Sequence, residues 1–390
     1  MTTAATRPND EDARFMRRAL ELAAQARGLT SPNPMVGAVV VAGGEIVGEG
    51  VHPGAGQPHA EVEALAVSGA RAHGATLYVN LEPCAHVGRT PPCAPGIVTA
   101  GIRRVVAALR DPNPLVSGRG FGLLRAGGVD VTVGVLQDDA ARLNRAFLVA
   151  MCEHRPHVTL KGGMTLDGRI ADVHGDSQWI TGAAARRRAH ELRSESDAIV
   201  VGIETVLRDD PQLTVRLDRP WPREPYRVVL DSAGRMPPAA RVISAGTPSR
   251  TIVAVSSSAP ATHCVRLAAR GVTVLRCPGP DGRVDLQRVL AELFTREVRA
   301  VLVEGGGEVH MAFVDAGLVD AVAVFMAPLM LGGRGATSLL GGAGRALKDA
   351  VHLDGMQLTR VGDDVLIEAT VIRRTGAPVS GAAGAGRSPR

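Results

Sequence analysis

Aromatic residues are scarce in this chain, where two Trp, two Tyr and six Phe make up 3% of 390 residues. Proteins that hold single-stranded nucleic acid without reading its sequence stack the bases on aromatic side chains. The composition therefore argues against a nucleic-acid partner. It also predicts aliphatic cores, because Val, Leu, Ile and Ala must supply most of the buried apolar surface.

Long apolar segments are lacking as well. The N-terminal segment MTTAATRPNDEDAR has no apolar core and carries acidic residues, so it is not expected to be a signal peptide. The longest apolar run, residues 321–331, is interrupted by Pro328, and spanning a bilayer takes about 20 apolar residues in a row. No membrane partner is expected.

Cysteine is also infrequent, with five residues in the whole chain. Two of them belong to the motif described below, which leaves Cys152, Cys264 and Cys277 at irregular spacing. An odd and irregular set is not typical of a disulfide framework. Reduced thiols and a cytoplasmic location are therefore predicted.

The net charge is positive, +5 with a pI near 9.3. Such a charge suits either a nucleic acid or an anionic small substrate. The arginines are scattered singly along the chain, with one run at residues 186–188. This pattern favours a phosphate-bearing small molecule over a polyanion.

The length predicts two globular domains, at about 100–200 residues each. Strands and helices alternate over residues 10–150, which predicts a three-layer α/β/α domain. Within it, the residue pattern predicts a helix starting at Asp10, a hairpin turning at Gly43-Gly44 and one helix over residues 138–147.

The segment MCEHRPH, residues 151–157, is predicted to be the domain boundary, because the periodicity restarts there with a new strand. A second α/β domain is predicted over residues 155–372. Residues 375–390, rich in Gly, Ala, Ser and Arg, are predicted to form a disordered tail. Residues 1–9 are predicted to be disordered too.

One stretch carries the residue types of a catalytic zinc site: His59, Glu61, Cys84 and Cys93. An imidazole and two thiolates supply three ligands, which leaves the fourth tetrahedral position for a water. Zinc lowers the pKa of that water towards ~7, which predicts a hydroxide nucleophile. Glu61, one residue beyond the ligand His59, is predicted to be the general acid and base. A structural zinc site would normally close with a fourth Cys or His, and two unrelated free cysteines would not account for the Glu.

The pattern H-x-E followed by P-C and a second Cys is typical of zinc nucleobase deaminases. In this chain eight residues separate the two thiols, whereas the short form of the pattern has two. The longer spacing can still close on one metal. Pro91 and Pro92 would start a second helix with Cys93 in its first turn, where the helix N-terminus stabilises a thiolate.

Three further features allow two interpretations. Asn33, in the turn SPNPMVG, is either a turn former or a ligand for the substrate ring. The segment VLVEGGG suits phosphate binding at a helix N-terminus, but it is as typical of a plain strand-to-helix turn. The glycines at 118, 120 and 122 do not follow a strand directly and are interpreted mainly as turn and packing residues.

Several segments together carry a family resemblance: SPNPMVGAVV, GQPHAEVEAL, LEPCAHVGRTPPC, DPNPLVSGRGFGLLRAGGV, TLDGRIA, SQWITG, SDAIVVGIETVLRDDPQLTVR and VEGGG. Over about residues 10–370 the chain resembles the bifunctional riboflavin-biosynthesis deaminase-reductases. The resemblance implies a cytidine-deaminase-like N-terminal domain and a dihydrofolate-reductase-like C-terminal domain. The first would hydrolyse an amino group from a diaminohydroxy-phosphoribosylamino-pyrimidine, and the second would use NADPH to reduce the ribose of the product to a ribityl chain. We expect one zinc per chain and a homo-oligomer.

The resemblance also implies roles for individual residues. The expected zinc ligands are His59, Cys84 and Cys93, with Glu61 as the proton shuttle. The expected deaminase substrate contacts are Asn33, His52, His86 and Arg89. The expected NADPH contacts are Gly163, Trp179, Thr205, Asp209, Ser232, Gly306 and Gly307. The expected reductase substrate contacts are Ser177, Arg193, Leu213, Arg216 and Glu304.

Two other classes of function compete with this expectation. A nucleic-acid cytidine deaminase fused to a binding domain is disfavoured by the lack of aromatic stacking residues. A binding or regulatory protein with a dead catalytic centre is disfavoured by the intact set of His59, Glu61, Cys84 and Cys93.

Overall fold

A computed structural model describes residues 10–333 and 335–373. The chain divides into two compact units, and the division falls between His154 and Arg155. The termini predicted to be disordered, residues 1–9 and 375–390, lie outside the described residues. Among the helices of the described ranges, none has both the length and the apolar character needed to cross a bilayer.

The first unit contains a five-stranded sheet in the order β2-β1-β3-β4-β5. Strand β1 is antiparallel to β2 and β3, and β3, β4 and β5 are mutually parallel. The strands are β1 (Gly37–Ala42), β2 (Glu45–Val51), β3 (Thr76–Val79), β4 (Arg104–Ala107) and β5 (Asp130–Val133). The hairpin predicted at Gly43-Gly44 is therefore confirmed, since β1 and β2 pair across those two residues.

Helices cover both faces of this sheet. They are α1 (Asp10–Gln25), α2 (Ala60–Ser68), α3 (Cys93–Thr99), α4 (Arg119–Ala126), α5 (Gln137–Leu143) and α6 (Arg145–Glu153). Alternate residues of β1 enter two separate cores: Ala38 and Val40 pack with α2, α3 and α4, whereas Val39 and Val41 pack with α1, α5 and α6. The period of two along a strand thus produces the predicted three-layer α/β/α unit.

The single helix predicted over residues 138–147 is wrong, because the structure has two helices that meet at Asn144. The side chain of Asn144 accepts the N–H of Met35 at 2.8 Å and donates to the Met35 carbonyl at 2.9 Å. This long-range pairing ties the helix break to the turn before β1. The second helix continues to Glu153, beyond the expected end of the first domain at residue 150.

The second unit is built on a nine-stranded sheet in the order β11-β10-β9-β8-β12-β6-β13-β16-β15. The seven strands from β11 to β13 in this order are parallel, and β16 and β15 close the sheet in antiparallel pairs. Strands β7 and β14 form a separate small ribbon. The strands are β6 (His157–Thr165), β7 (Arg169–Ala171), β8 (Ala198–Gly202), β9 (Tyr226–Leu230), β10 (Thr251–Val255), β11 (Thr273–Arg276), β12 (Ala300–Val303), β13 (Ala321–Ala327), β14 (Thr337–Ser338), β15 (His352–Val361) and β16 (Asp364–Ile372).

Helices again cover both faces. They are α7 (Ala183–Ser194), α8 (Ile203–Asp209), α9 (Arg241–Ser244), α10 (Ala261–Ala268), α11 (Leu286–Thr295) and α12 (Gly307–Asp315). One face of the sheet packs with α11 and α12, and the other packs with α7 to α10. The mixed α/β architecture expected for both domains is confirmed.

Strand β15 is an element that sequence patterns did not reveal. It lies at the edge of the large sheet, and His352 to Arg360 are all exposed. Alternation of apolar and polar residues is confined to residues 356–359 and is interrupted by Gly355, and the sequence did not predict this strand.

Candidate active sites

The predicted zinc ligands converge on one point of the first unit. The Nδ1 atom of His59 lies 3.2 Å from the Sγ of Cys93 and 3.5 Å from the Sγ of Cys84. In a tetrahedral zinc site with Zn–S of ~2.3 Å and Zn–N of ~2.0 Å, neighbouring ligand atoms are about 3.5 Å apart. The donor types and their spacing therefore fit a zinc ion. Among the described residues, this is the cluster with metal-binding geometry.

Close backbone packing brings the three ligands together. His59 is the N-cap of α2. Cys93 is the first residue of α3, in the first turn of a helix as predicted. Helix α2 lies directly on β2, because a Cβ on Gly50 would be 2.1 Å from the Ala60 carbonyl oxygen. The backbone N–H groups of Cys93 and Ala94 donate to the sulfur and the carbonyl oxygen of Cys84.

The segment carrying Cys84 is anchored by Glu82, which sequence interpretation did not select. The buried Glu82 carboxylate accepts backbone N–H groups of Asp111, Gly118 and Phe121 at 2.9–3.2 Å. Gly120 sits where any Cβ would be 1.9 Å from the Pro83 carbonyl oxygen. Gly120 is thus a packing residue and Gly118, with φ of 85°, a turn residue, as interpreted from the sequence, whereas a Cβ on Gly122 would meet open space.

The two thiols differ in how readily they ionise. Hydrogen bonds from Cys93 and His59 lower the pKa of Cys84, whereas the neighbouring Cys84 thiolate and burial raise the pKa of Cys93. Cys84 is the less buried of the two and receives the Cys93 N–H, so it is the thiol that ionises first. Zinc binding requires both thiolates and therefore releases protons.

Glu61 lies in the first turn of α2 and is 3% exposed. Burial raises the pKa of its carboxyl to about 7, from an ordinary 4.5. A carboxyl group that titrates near neutral pH can both take and return a proton at the pH of a cell.

Asn33 and His52 form a polar pair beside the cluster. The Nδ2 of Asn33 is 3.0 Å from the Nε2 of His52, and the Nδ1 of His52 is 3.0 Å from the Pro58 carbonyl oxygen. Since a carbonyl only accepts, Nδ1 carries the proton and Nε2 accepts from Asn33. The rings of His52 and His59 meet edge to face with centroids 5.2 Å apart. Asn33 is thus placed at the site, which favours a ligand role over that of a plain turn former.

The eight residues between the thiols form a partly exposed loop. His86 is half-buried and its Nδ1 has no hydrogen-bond partner in the described part of the chain, whereas Arg89 is exposed. Thr90, which sequence interpretation did not select, places its Oγ1 3.0 Å from the Nε2 of His59. No local sequence pattern predicts the contact between Thr90 and His59.

In the second unit, the predicted cofactor residues lie mainly at the carboxyl ends of parallel strands. Thr205 follows β8, Ser232 follows β9, and Gly306 and Gly307 follow β12. Parallel strands bring these ends to one edge of the sheet, which is the usual ligand-binding edge of an open α/β sheet. Gly163 lies within β6, where a Cβ would be 3.2 Å from Thr181.

A cavity of about 730 Å³ lies in this unit. Ser177 and Asp209, both selected from the sequence, line it together with Asp172, Asp176 and Arg208. Its volume is within the usual range for small-molecule sites. Arg208 adds a positive charge that sequence interpretation missed.

A buried charge cluster accounts for two predicted substrate residues. The carboxylate of Glu304 accepts two hydrogen bonds from Arg193, at 2.7 and 2.9 Å, and lies 3.7 Å from the ammonium of Lys161. Burial opposes ionisation, but the two cations outweigh it and lower the pKa of Glu304 to about 2. Lys161, from the middle of β6, was not selected from the sequence because a single lysine in a strand has no distinguishing pattern.

Arg216 is exposed and lies against His190. Its backbone N–H and its Nε are 3.2 and 3.3 Å from the two ring nitrogens of His190. Burial, together with the charges of Arg193 and Arg216, lowers the pKa of His190 to about 4. In the hydrogen bonds described, the Arg216 side chain bonds to His190 and Gln212 and not to a carboxylate. In this it differs from Arg193, which is bound by Glu304.

Other predicted residues have contacts within the protein. The side chain of Leu213 is part of the core, so a substrate contact there would come from its backbone. The hydroxyl of Ser232 accepts the Val284 N–H at 3.1 Å. Gly307 is buried, and a Cβ there would be 2.6 Å from the Ser338 carbonyl oxygen, whereas Gly306 is open. Trp179 is 68% exposed, with the Arg186 guanidinium 4.5 Å from its ring centroid.

Comparisons with known proteins match both units. Residues 9–109 match the family described as the cytidine and deoxycytidylate deaminase zinc-binding region, and residues 156–367 match the RibD C-terminal domain. The riboflavin biosynthesis protein RibD of Escherichia coli is 42% identical over 92% of this chain and 98% of its own length. The protein of the same name from Aquifex aeolicus is 41% identical over 91% of this chain and 97% of its own.

Solved structures of proteins with the same two activities or the same name also match most of this chain. RibD of Acinetobacter baumannii superposes with a TM-score of 0.85 at 38% identity, covering 93% of this chain and 99% of that chain. A diaminohydroxyphosphoribosylaminopyrimidine deaminase/5-amino-6-(5-phosphoribosylamino)uracil reductase of Thermotoga maritima superposes with a TM-score of 0.80 at 36% identity, with the same coverage.

Proposed function

The chain belongs to the family of bifunctional riboflavin-biosynthesis deaminase-reductases, and we propose that two separate residue clusters, one in each unit, carry its two reactions. It is a zinc-dependent hydrolase and an NADPH-dependent oxidoreductase. The first reaction removes an amino group from the pyrimidine ring of 2,5-diamino-6-(5-phosphoribosylamino)pyrimidin-4-one, and the second reduces the ribosyl group to ribityl. The observation that carries the residue assignment is the convergence of His59, Cys84 and Cys93 beside the buried Glu61.

In the deaminase, His59, Cys84 and Cys93 would hold the zinc. When bound, the metal supplies a water whose pKa is lowered towards ~7. Glu61 takes a proton from the attacking water and returns it to the departing amino group, so that water is consumed and ammonia leaves. Its burial and its place in the first turn of α2, two residues after the ligand His59, support this role.

The substrate ring is bound by the polar groups around this cluster. Asn33 donates to His52 through Nδ2, and its side-chain oxygen is an acceptor suited to an N–H of the pyrimidine. The unpartnered Nδ1 of His86 and the positive charge of Arg89 suit the phosphoribosyl part of the substrate.

In the reductase, Gly163, Trp179, Thr205, Asp209, Ser232, Gly306 and Gly307 bind NADPH. The placement of most of them at one sheet edge, and of Asp209 at the cavity, supports this assignment. Ser177, Leu213, Arg216 and Glu304 contact the phosphorylated substrate. Arg193 acts through Glu304, because its guanidinium is committed to that carboxylate. Arg216 is exposed, and its guanidinium suits bidentate phosphate binding.

We also propose a cytoplasmic homo-oligomer. All five cysteines are free thiols, which suits a reducing compartment. Edge strand β15 exposes Leu353, Met356 and Leu358 by 44%, 62% and 64%, and an exposed apolar edge strand favours pairing with another chain. The second copy is expected at this edge. Analytical ultracentrifugation of Leu358→Lys tests it: an unchanged oligomer would place the contact elsewhere.

One assay tests both proposed clusters. Purified protein is given the diaminopyrimidine phosphate, with and without NADPH, and products are separated by chromatography. The deaminated product alone should accumulate without NADPH, and the ribityl product should follow when NADPH is added. Deamination of single-stranded nucleic acid, or no reaction at all, would support the competing functions.

A further inference from the structure

The loop between the two thiols reaches back to the first zinc ligand. The Thr90 Oγ1 lies 3.0 Å from the Nε2 of His59, on the opposite side of the ring from Nδ1. The Nδ1 atom faces Cys84 and Cys93 at 3.5 and 3.2 Å. The imidazole is thus held between a hydroxyl and the pair of thiols.

This arrangement is compatible with the tautomer that a metal needs. A histidine binds zinc through an unprotonated nitrogen, so a ligand Nδ1 requires the proton on Nε2. A threonine hydroxyl has two lone pairs and can accept that N–H. Metal-bound histidines generally donate their second N–H to a neighbouring acceptor, which orients the ring and raises its basicity.

We propose that Thr90 is a positioning residue that orients His59 for zinc by accepting its Nε2–H. The inference rests on the proposed zinc site and concerns how this chain preforms it. The His52 ring also packs on the imidazole, and both of its ring nitrogens are already engaged, with Asn33 and the Pro58 carbonyl.

The backbone around Thr90 is well suited to hold the hydroxyl in place. Pro91 and Pro92 have fixed φ angles, and a residue before proline is restricted to extended conformations. The Gly88 N–H donates to the Thr90 carbonyl oxygen at 3.2 Å, which closes the loop on its other side. Two prolines thus connect Thr90 rigidly to Cys93, so the hydroxyl and a thiol ligand are placed together. The spacing of eight residues supplies the length for this return.

Two substitutions isolate the hydroxyl. Thr90→Val keeps the branched shape and removes the acceptor, whereas Thr90→Ser keeps the acceptor and removes the methyl group. The zinc dissociation constant of the full chain is measured by competition with a chromogenic chelator. Losing an outer partner of a metal ligand typically costs 10–100-fold in metal affinity. Thr90→Val should therefore bind zinc about 10-fold or more weakly, and Thr90→Ser should remain within about threefold of wild type.

A second readout follows the metal environment itself. Cobalt bound to thiolates absorbs visible light, and its spectrum changes with ligand geometry. The Co²⁺ spectrum of Thr90→Val should differ from wild type, and that of Thr90→Ser should match it. The matched control is Thr99→Val on α3, whose exposed hydroxyl bonds the Pro95 carbonyl and not a ligand. The thermal unfolding curve of each variant, compared with that of wild type, reports whether the first unit folds correctly.

Two results would overturn the inference. Wild-type zinc affinity in Thr90→Val would show that the hydroxyl does not support His59. Equal weakening in Thr90→Val and Thr90→Ser would show that zinc affinity does not follow the acceptor, and it would assign the effect to packing of the loop. Cys84→Ser separates this failure from failure of the zinc site: if it loses zinc while Thr90→Val does not, the zinc site stands and the role of Thr90 does not.

Discussion

Arg193 and Glu304, 111 residues apart in the chain, form a two-hydrogen-bond ion pair at 2.7 and 2.9 Å, with their side chains 14% and 8% exposed. The pair joins α7 to the end of β12. A buried guanidinium that is already paired is poorly available to a phosphate, so we assign Arg193 to orienting Glu304 rather than to binding substrate directly.

The pair predicts a large stability effect. Glu304→Ala leaves the Arg193 charge buried without its partner, which costs about 3–5 kcal/mol. In urea-induced unfolding, the midpoint for the second unit should move to lower urea concentration, and the free energy of unfolding should fall by that amount. The control is Glu204→Ala, which removes an exposed partner of Arg235 and should cost less than ~1 kcal/mol. Equal shifts for the two variants would contradict the assignment.

His190 predicts a pH dependence of the same unit. Its folded-state pKa, lowered to about 4, lies below the ordinary 6.5 of an unfolded chain. As the pH falls from about 6.5 towards 4, the unfolded state takes up a proton that the folded state does not, so the free energy of unfolding decreases. His190→Gln should therefore lose less stability than wild type between pH 7 and pH 4.5. Identical losses would mean that His190 is not held neutral by its surroundings.

Arg216 predicts an effect on substrate binding. A charge-assisted hydrogen bond to phosphate is worth roughly 1.5–3 kcal/mol, so Arg216→Ala should raise the reductase KM about tenfold or more. NADPH binding, followed by its fluorescence, should barely change, and deamination should not change. A collapse of NADPH affinity with a normal KM would mean that the division between substrate and cofactor sides is wrong. Arg219→Ala, which removes a nearby arginine stacked on Trp221, is the control.

Zinc loss predicts the loss of one activity. Purified protein should carry about one zinc per chain, and Cys84→Ser should lose most of it together with deamination. Reduction of supplied deaminated intermediate should persist, because the reductase residues lie in the other unit. Cys152→Ser, which changes an exposed thiol outside the cluster, should keep both zinc and activity. A fully metallated and active Cys84→Ser protein would exclude this zinc site.

The features that sequence predicted are those encoded over short distances. The residue types and spacing of His59, Glu61, Cys84 and Cys93 are those that a zinc site requires, so the site could be predicted from the sequence. The apolar run of β1 is typical of a strand buried on both faces of a sheet. The break at Asn144 depends instead on the distant Met35, and a propensity pattern contains no such information.

Other features were missed for the same physical reason. The contact between Thr90 and His59 depends on how the loop between the two thiols folds back onto the N-terminus of α2. The ion pair between Arg193 and Glu304 forms because the fold places α7 next to the end of β12, which lie far apart in the sequence. Strand β15 has no buried face, so burial did not produce a long alternating pattern of apolar and polar residues in its sequence. These contacts are decided by tertiary structure, and single residues such as Lys161 gain significance only when the fold brings them together.

We propose that two independent sites share one chain, with Glu61 moving protons in the first. Measuring zinc content, deamination and NADPH-dependent reduction on Glu61→Gln tests it most directly, with Glu63→Gln on the same helix as the control. Glu61→Gln should retain about one zinc, deaminate at least ~10²-fold more slowly, and reduce supplied intermediate at the wild-type rate. Deamination at the wild-type rate, or loss of both activities with zinc retained, would contradict the account.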